Sequence, residues 1–469
     1  MMMKSVELAG RGLQTGIAAF TVALAAMAFS AVEPAAAQEF TLPQIEAPAP
    51  GPVMTLNDAV GLADSGNRSI LALRQDIVIA SEKLRSSWSG LLPMLYGNMD
   101  WAFGTRQTQT GGSSTGHQLG AGLTLTVPLI DAQKWLGMKT AEVESDLVGL
   151  QVEESRQILL YSVAEAYYQA ATALSLIDVY RAQYDAAAEH MKLAEGRLSA
   201  GVGNIMDVRS AQADMIAAWT GMVQAGYSLS DAREALALLI GRDDLPMPVS
   251  SPDASGKGLD IDQAVQELAR EVELPSFDRD AVDSRWDMKV LAMQKELQRS
   301  ELKAGYMPFV PRLNGFFNYD VDILGDSSIP NYDRNSWRLG LSLSIPLFDY
   351  SIYPGLRQKR AAIRQTELRI DELRAEGRKA VSESARKVVK LGRMMAAARV
   401  KAAIADDLLS LAEADYANGT GLAIAVTDAR RTSQSAHVEL ATATWEYQVG
   451  LLKLNRELGV DIRTAVTAD

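Results

Sequence analysis

The sequence predicts a mostly helical chain with a smaller share of β-strand, built from two copies of a helix-strand-strand-helix unit. Three observations predict it. The first is the stretch from Gln118 to Ser199. Leu119, Ala121, Leu123, Leu125 and Val127 alternate with polar or small residues, as a half-buried strand requires. Pro128 is expected to end that strand, and from Ile130 apolar residues recur at helical spacing with no further proline until Pro246. A single helix over residues 132–199 would be about 100 Å long at ~1.5 Å per residue, more than a compact domain needs.

The second observation is a repeat at a spacing of 218 residues. Pro93, Leu95, Gly97, Leu123, Leu125, Pro128, Leu129, Asp131, Gly201, Gly203, Val208, Leu236 and Gly241 find the same residue types in Pro311, Leu313, Gly315, Leu341, Leu343, Pro346, Leu347, Asp349, Gly419, Gly421, Val426, Leu454 and Gly459. No gap is needed, and the matches include prolines and glycines whose backbone roles are positional. The third is a set of four strand-like segments, each apolar on one side and polar on the other. At about 9 to 11 residues, with aromatics near their ends, they have the form of strands that cross an outer membrane.

Taken in order, residues 1–37 read as a secretory signal. Lys4 and Arg11 precede the apolar run Ile17 to Phe29, and Ala35-Ala36-Ala37 offers a cleavage site. Residues 38–54 form a proline-rich lead-in. The first unit, 55–241, opens with a helix capped by Thr55 or Asn57 that continues through Leu62, Leu71, Ile77 and Leu84 until Pro93 stops it. A strand from Leu95 to Phe103 follows, then a Gly/Ser/Thr-rich loop over Thr105 to Gly116.

Residues 242–283 form a linker with four prolines and a short helical piece near Gln263 to Glu271. The second unit, 284–460, repeats the plan. A helix from Arg285 to Tyr306 precedes a strand with Leu313, Gly315, Phe317, Tyr319 and Val321 on one face. The polar loop Asp322 to Asn335 comes next, then a strand with Trp337, Leu339, Leu341, Leu343 and Ile345 on one face, and a proline-free helical remainder from 355. Residues 461–469 are a C-terminal tail. A dry two-sheet sandwich is the competing reading of the strands, but their second face is too polar for a core. Four strands cannot close a barrel with a lumen, so the barrel must be shared between copies of the chain.

Composition narrows the function. Of 469 residues 48% are hydrophobic and 22% charged, which excludes wholesale disorder. A formal charge of -12 argues against a nucleic-acid partner. There is no cysteine, hence no disulfide and no acylated cysteine. His117, His190 and His437 show no metal-ligand spacing and read as surface residues. Gly201-Val202-Gly203 follows a helix rather than a strand, so it is no dinucleotide loop. The carboxylate pairs Glu153-Glu154 and Asp406-Asp407 read as solvated helix surface. No catalytic residue, metal site or cofactor is expected, and energy for any transport must come from another protein.

With these features the chain resembles the TolC family of outer-membrane ducts, from about Thr55 to Val460. The resemblance rests on the duplicated plan, on Val127-Pro128-Leu129-Ile130-Asp131 and Ile345-Pro346-Leu347-Phe348-Asp349, and on two helix-to-helix turns. These are the stretch from Arg197 to Val208 and the stretch Tyr416-Ala417-Asn418-Gly419-Thr420-Gly421.

The resemblance implies a homotrimer in which a twelve-stranded outer-membrane β-barrel is continued by a long α-helical coiled-coil barrel through the periplasm. It implies a passive duct of a tripartite efflux or type I secretion system, opened by a periplasmic adaptor and an inner-membrane pump of ABC or RND type. The expected docking turns comprise Arg197, Gly201, Val202, Gly203, Gly419, Thr420 and Gly421. Asp207 and Tyr416 match family positions that link neighbouring helices at the closed end, and Asp428 matches a ring aspartate; it also reads as a solvated helix-face charge. Gly421 and Ala425 depart from the pattern, standing where an arginine link and a second ring aspartate are expected, so fewer locks are anticipated. Leu95, Trp101, Phe103, Leu123, Phe317, Trp337 and Leu341 should face lipid or its interface. The alternative function is a non-conducting trimeric coiled-coil spacer or adhesin.

Overall fold

The structure, a computed structural model, describes residues 51–107, 113–249, 279–324 and 335–466. The expected signal segment, most of the lead-in and the helical piece near Gln263 to Glu271 lie outside the described residues.

The described chain begins with a short strand, β1 (Val53–Met54), which pairs in parallel with β4 (Met247–Pro248). The end of the expected irregular lead-in is thereby tied to the end of the first unit. Two helices then stand where one was expected, α1 (Leu56–Gly66) and α2 (Arg68–Ser89). Thr55 caps α1 in a reciprocal capping box with Asp58. The break falls at Asn67, whose Oδ1 accepts from the Ser69 and Ile70 amides at 2.7 and 3.1 Å while its Nδ2 donates to the Leu239 carbonyl at 2.5 Å. Apolar spacing continues across Asn67, which is why the pattern alone shows no boundary there. α2 ends at Ser89, before Pro93 is reached.

Strands β2 (Met94–Gln107), β3 (Ser113–Ile130), β5 (Arg312–Leu324) and β6 (Asn335–Ser344) form one antiparallel sheet in the order β2-β3-β5-β6. Both expected polar loops are shorter than the sequence suggested, because the strands continue into them. Pro128 does not end β3. The β2 partner has stopped at the Met94–Thr126 pair, so Pro128 lies beyond the two-sided part of the strand, opposite Asn314 in β5 and beside a register shift. A missing amide is tolerated at such a position.

The register lines up one apolar face. Leu95, Leu125, Phe317 and Leu339 form one cross-strand row, and Gly97, Leu123, Tyr319 and Trp337 another. The opposite face carries rows such as Asn98, Gly122, Asp320 and Ser336. Its crowding is visible at Gly122, where an added Cβ would lie 2.7 Å from both the Asn98 and the Asp320 side-chain oxygens.

Below the sheet, α3 (Ala132–Ser199) is the single 68-residue helix the sequence predicts, capped by the buried Asp131 through the Lys134 amide. α4 (Ile205–Ile240) returns alongside it. In the second unit α5 (Trp286–Gly305) enters the sheet and α6 (Ile352–Ala417) leaves it. α7 (Ala423–Glu457) returns against α6, followed by the short α8 (Ile462–Val466). α6 begins before Pro354, in the first turn, where the missing amide costs no helical bond.

Near the sheet α3 packs on α2 and α5, marked by a Lys83–Glu144 ion pair at 2.6 Å and a Thr140–Ser300 hydroxyl contact at 2.8 Å. Farther down it packs on α4 and α7, where Lys453 pairs with Glu165 at 3.2 Å. The main core sits midway, joining Val60 and Ile70, Leu160 and Val163 of α3, Leu236 and Ile240 of α4, Trp445 and Leu452 of α7, and Ile462. A second cluster of Ala398, Ala402, Ala405, Ala436, Leu440 and Ala443 uses small side chains so that α6 and α7 approach closely along their length.

The repeat is visible in the backbone. Gly201, Gly241, Gly419 and Gly459 have positive φ, and they form two pairs related by the repeat spacing. Each ends a long helix, as a left-handed residue commonly does.

Candidate functional site: the paired helical turns

At the end of the helices away from the sheet, the α3–α4 turn (200–204) and the α6–α7 turn (418–422) stand side by side. The glycines there serve two physical needs. Gly201 and Gly419 take φ of 74° and 80°, which a side chain strains. Gly203 and Gly421 are needed for close approach. A Cβ on Gly203 would lie 2.5 Å from the Leu198 amide nitrogen, and one on Gly421 would lie 2.9 Å from that of Tyr416.

Thr420 closes the second turn by donating its amide and its hydroxyl to the Asp415 carbonyl, each at 3.0 Å. Around these tight backbones the turns and the first turns of α4 and α7 expose Val202, Ile205, Met206, Leu422 and Ile424, all more than half accessible.

Arg197 joins the two turns. Its guanidinium lies 4.3 Å from the Tyr416 ring centroid and donates to the Tyr416 carbonyl at 3.1 Å. Tyr416 is buried, with its other neighbour His190 at 5.6 Å between ring centroids. His190 corrects the expectation of a surface histidine: it is buried in α3 and neither ring nitrogen has a hydrogen-bond partner. Burial pushes its pKa down and nearby Arg430 pushes the same way, while Glu413 and Asp207 oppose them. The other two histidines stand elsewhere, His117 against the rings of Trp101 and Phe103 on the sheet and His437 bonded to Asp406 at 2.8 Å.

A second tier of links lies about one to three helical turns up. Arg430 donates to Glu413 at 2.6 Å and to the Ala186 carbonyl at 2.7 Å, tying α7 to both α6 and α3. Arg431 reaches Asp214 of α4 at 3.3 Å, and Ser210 meets Thr427 at 3.3 Å. Burial raises the Asp214 pKa, with Arg431 opposing. The carboxylate pairs read as solvated surface are in part structural, since Asp406 also accepts from Ser433 and Glu153 accepts from Arg156 and Gln157.

The structure thus brings Arg197, Tyr416 and the four turn glycines together. Asp207 is half-buried in the first turn of α4, and Asp428 is exposed on α7. Asp428 is close enough to Asp214 to raise its pKa. Sequence reasoning missed His190, Glu413, Asp214 and Arg430 as members of the site. Only the Arg430-Arg431 dipeptide just past a turn hinted at it, because the partners lie far apart in the chain.

At the opposite end, Leu95, Trp101, Phe103, Leu123, Trp337 and Leu341 are exposed on the apolar sheet face, and Phe317 is half-buried near its centre. None of the described helices is long and apolar enough to cross a membrane. Among the described residues no His, Cys, Asp or Glu cluster could hold a metal ion.

A sheet with one broad apolar face, carried on helices of 68 and 66 residues that end in glycine turns, defines a channel protein of the outer membrane with a long helical extension. The chain belongs to the outer membrane efflux protein family, which it matches over residues 59–242 and 279–460. It is 25% identical over 403 residues to outer membrane protein TolC of Vibrio cholerae, covering 85% of this chain and 89% of that one. It is 23% identical over 428 residues to outer membrane protein OprJ of Pseudomonas aeruginosa, covering 86% and 84%.

Among solved structures, CusC superposes with a TM-score of 0.71 at 17% identity, over 86% of this chain and 92% of that one. The open state of the MtrE outer membrane channel of Neisseria gonorrhoeae gives 0.68 at 18%, over 87% and 89%. The protein is an outer-membrane efflux channel, and its family is one of transport ducts rather than enzymes.

Proposed function

We propose that three copies of this chain form a passive duct across the outer membrane and periplasm, opened when a periplasmic adaptor and an inner-membrane pump dock on the paired turns. The observation that carries this reading is the open sheet. β2 and β6 are both edge strands with unpaired backbone groups, and the strand directions alternate, so β6 of one copy can add antiparallel to β2 of the next. Repeated around an axis, that pairing removes every edge and puts the apolar face toward lipid. Three copies would supply twelve strands.

The unit boundaries follow the same plan. A signal segment over 1–37 and a lead-in over 38–54 precede repeats at 55–241 and 284–460, with the segment 242–283 between them and a tail at 461–469. The exposed apolar residues of the turns, set on glycine backbone that a partner can approach closely, support adaptor docking there. Asp207, Tyr416 and Asp428 are assigned to the gate, with Asp428 as a cation-attracting ring in the closed pore.

The test is single-channel conductance of the chain from Gln38 in a planar bilayer, with its oligomeric state measured in the same detergent. A small cation-selective conductance from a trimer supports the duct. An inserted trimer that stays silent even with a purified adaptor present would point to a spacer.

A further inference from the structure

A cavity of about 730 Å³ opens where the sheet meets the helices, lined by Leu129, Ile130, Trp135, Leu136 and Met307 with Lys139 and Lys303 at its polar side. We propose that it is a binding site for an anionic glycerophospholipid of the periplasmic leaflet, with an acyl chain in the apolar part and the phosphate on the two lysines. Its size lies within the usual range of small-molecule sites.

Its position follows from register. Ile130 pairs with Leu313 on the apolar face of the sheet, and the Leu129 side chain lies within 3.6 Å of where a Cβ on Gly315 of that face would stand. The cavity therefore continues the lipid-facing surface downward. Below it, Ala132, Trp135, Leu136 and Lys139 share one face of α3, and Lys303 projects from the last turn of α5. Apolar wall, exposed tryptophan and lysine follow one another in the order in which acyl chain, interface and headgroup occur in a leaflet.

Charge selects the headgroup. Among the described residues neither Lys139 nor Lys303 has a hydrogen-bond or ion-pair partner, whereas their neighbours Glu301 and Lys359 pair with each other at 3.3 Å. Asp131, the carboxylate at the cavity, is buried and occupied in capping α3. Two uncommitted ammonium groups and no competing free carboxylate favour a phosphodiester without a compensating headgroup cation. The cavity lies under β3 and β5, the two inner strands, whereas the proposed pairing between copies uses the edge strands β2 and β6.

This inference rests on the reading that the apolar sheet face meets lipid, and one experiment separates the two. The full mature protein, stripped of lipid in an uncharged detergent, is titrated with brominated phosphatidylglycerol or brominated phosphatidylcholine, and tryptophan quenching is followed. Trp135, Trp101 and Trp337 are each isolated by difference from the corresponding Trp→Phe variant. Trp101 and Trp337 should be quenched by both lipids alike, and Trp135 by phosphatidylglycerol at a lower mole fraction.

In Lys139→Gln/Lys303→Gln that preference should weaken by on the order of tenfold or more, at about fivefold per lysine near a membrane surface. Both positions are exposed, so folding is not at stake. Equal quenching of Trp135 by the two lipids, an unchanged preference in the double variant, or a Trp135 shielded from both while Trp101 and Trp337 respond would overturn the lipid site alone. Absence of quenching at Trp101 and Trp337 would overturn the membrane-facing reading beneath it.

Discussion

The Arg197–Tyr416 contact offers a direct way to ask whether the paired turns form a gate. Arg197→Ala removes a charged donor from the Tyr416 carbonyl at 3.1 Å and a guanidinium 4.3 Å above the Tyr416 ring. A hydrogen bond from a charged donor contributes about 1.5 kcal/mol. A cation over an aromatic face adds about 0.5 kcal/mol where water still reaches the arginine, as it does here. If the contact exists only with the turns together, losing about 2 kcal/mol shifts the closed-to-open ratio by about 30-fold.

The assay is conductance in planar bilayers together with uptake of a bulky antibiotic by cells carrying the variant. The open fraction should rise for Arg197→Ala and for Tyr416→Ala. It should be unchanged for Tyr416→Phe, which keeps both the ring and the carbonyl. The double variant Arg197→Ala/Tyr416→Ala should add little to Arg197→Ala, whereas Tyr416→Ala alone should have the smaller effect, since it loses the ring but keeps the carbonyl that Arg197 bonds. Conductance unchanged in Arg197→Ala, in a trimer of normal stability, would refute the gate role of this contact. Additive effects of the two alanines would show that Tyr416 acts through some other partner.

Three further expectations concern the same end of the molecule. Asp428→Asn should reduce cation preference, measured as a reversal potential in a salt gradient, because the proposed trimer would repeat this exposed carboxylate around its axis; an unchanged reversal potential would disprove the ring. Gly201→Ala should destabilise by about 1 to 2 kcal/mol through its positive φ. Gly203→Ala should cost more, since its Cβ would lie 2.5 Å from backbone, and thermal unfolding of both variants checks the order. His190 should make stability pH-dependent. Burial lowers its pKa below 6.5, so on acidification the unfolded chain takes up a proton that the folded chain refuses. Stability should then fall as the pH drops from 6.5 toward the lowered value and level off beneath it. His190→Leu should lose that component in melting curves taken between about pH 7.5 and pH 5.

What was legible in the sequence was whatever the backbone repeats. The alternation from Leu119 to Val127 and the proline-free run after Pro128 gave the strand and the full extent of the long helix. The spacing of 218 gave the second unit with its turns in place. Boundaries failed where a side chain outside the local pattern decided them. Asn67 splits a helix by bonding both forward to Ser69 and Ile70 and across to Leu239, and apolar spacing carries no sign of the second partner. Pro128 stays in its strand because β2 has already ended, a fact about the neighbour rather than the residue. The burial of His190 was illegible for the same reason, since Tyr416, Glu413 and Arg430 around it come from α6 and α7, more than two hundred residues away.

The residues proposed for the gate lie where the two repeats differ, and this has a physical reason. At the turns the repeat preserves the glycines, which fix the course of the chain, but replaces what those backbones carry. Arg197 is matched by Asp415, Leu198 by Tyr416, Asn204 by Leu422 and Asp207 by Ala425. Two copies of the first hairpin set side by side would oppose Arg197 to a leucine and, because Ala213 is the counterpart of Arg431, Asp214 to an alanine, and neither pair attracts. Divergence lets Arg197 of the first unit meet Tyr416 of the second, and Arg431 of the second meet Asp214 of the first. The contacts that hold the turns together are thus interactions between units, and they can be lost without unfolding either hairpin, because each hairpin keeps its own glycine turn and its own packed helices. A duct that opens without unfolding needs that separation. Swapping the turn residues to make the units alike, with Tyr416→Leu and Asp415→Arg, should therefore leave the melting midpoint of the trimer nearly unchanged while raising its conductance. A large fall in stability instead would show that the turn contacts hold the hairpins themselves rather than their relation to each other.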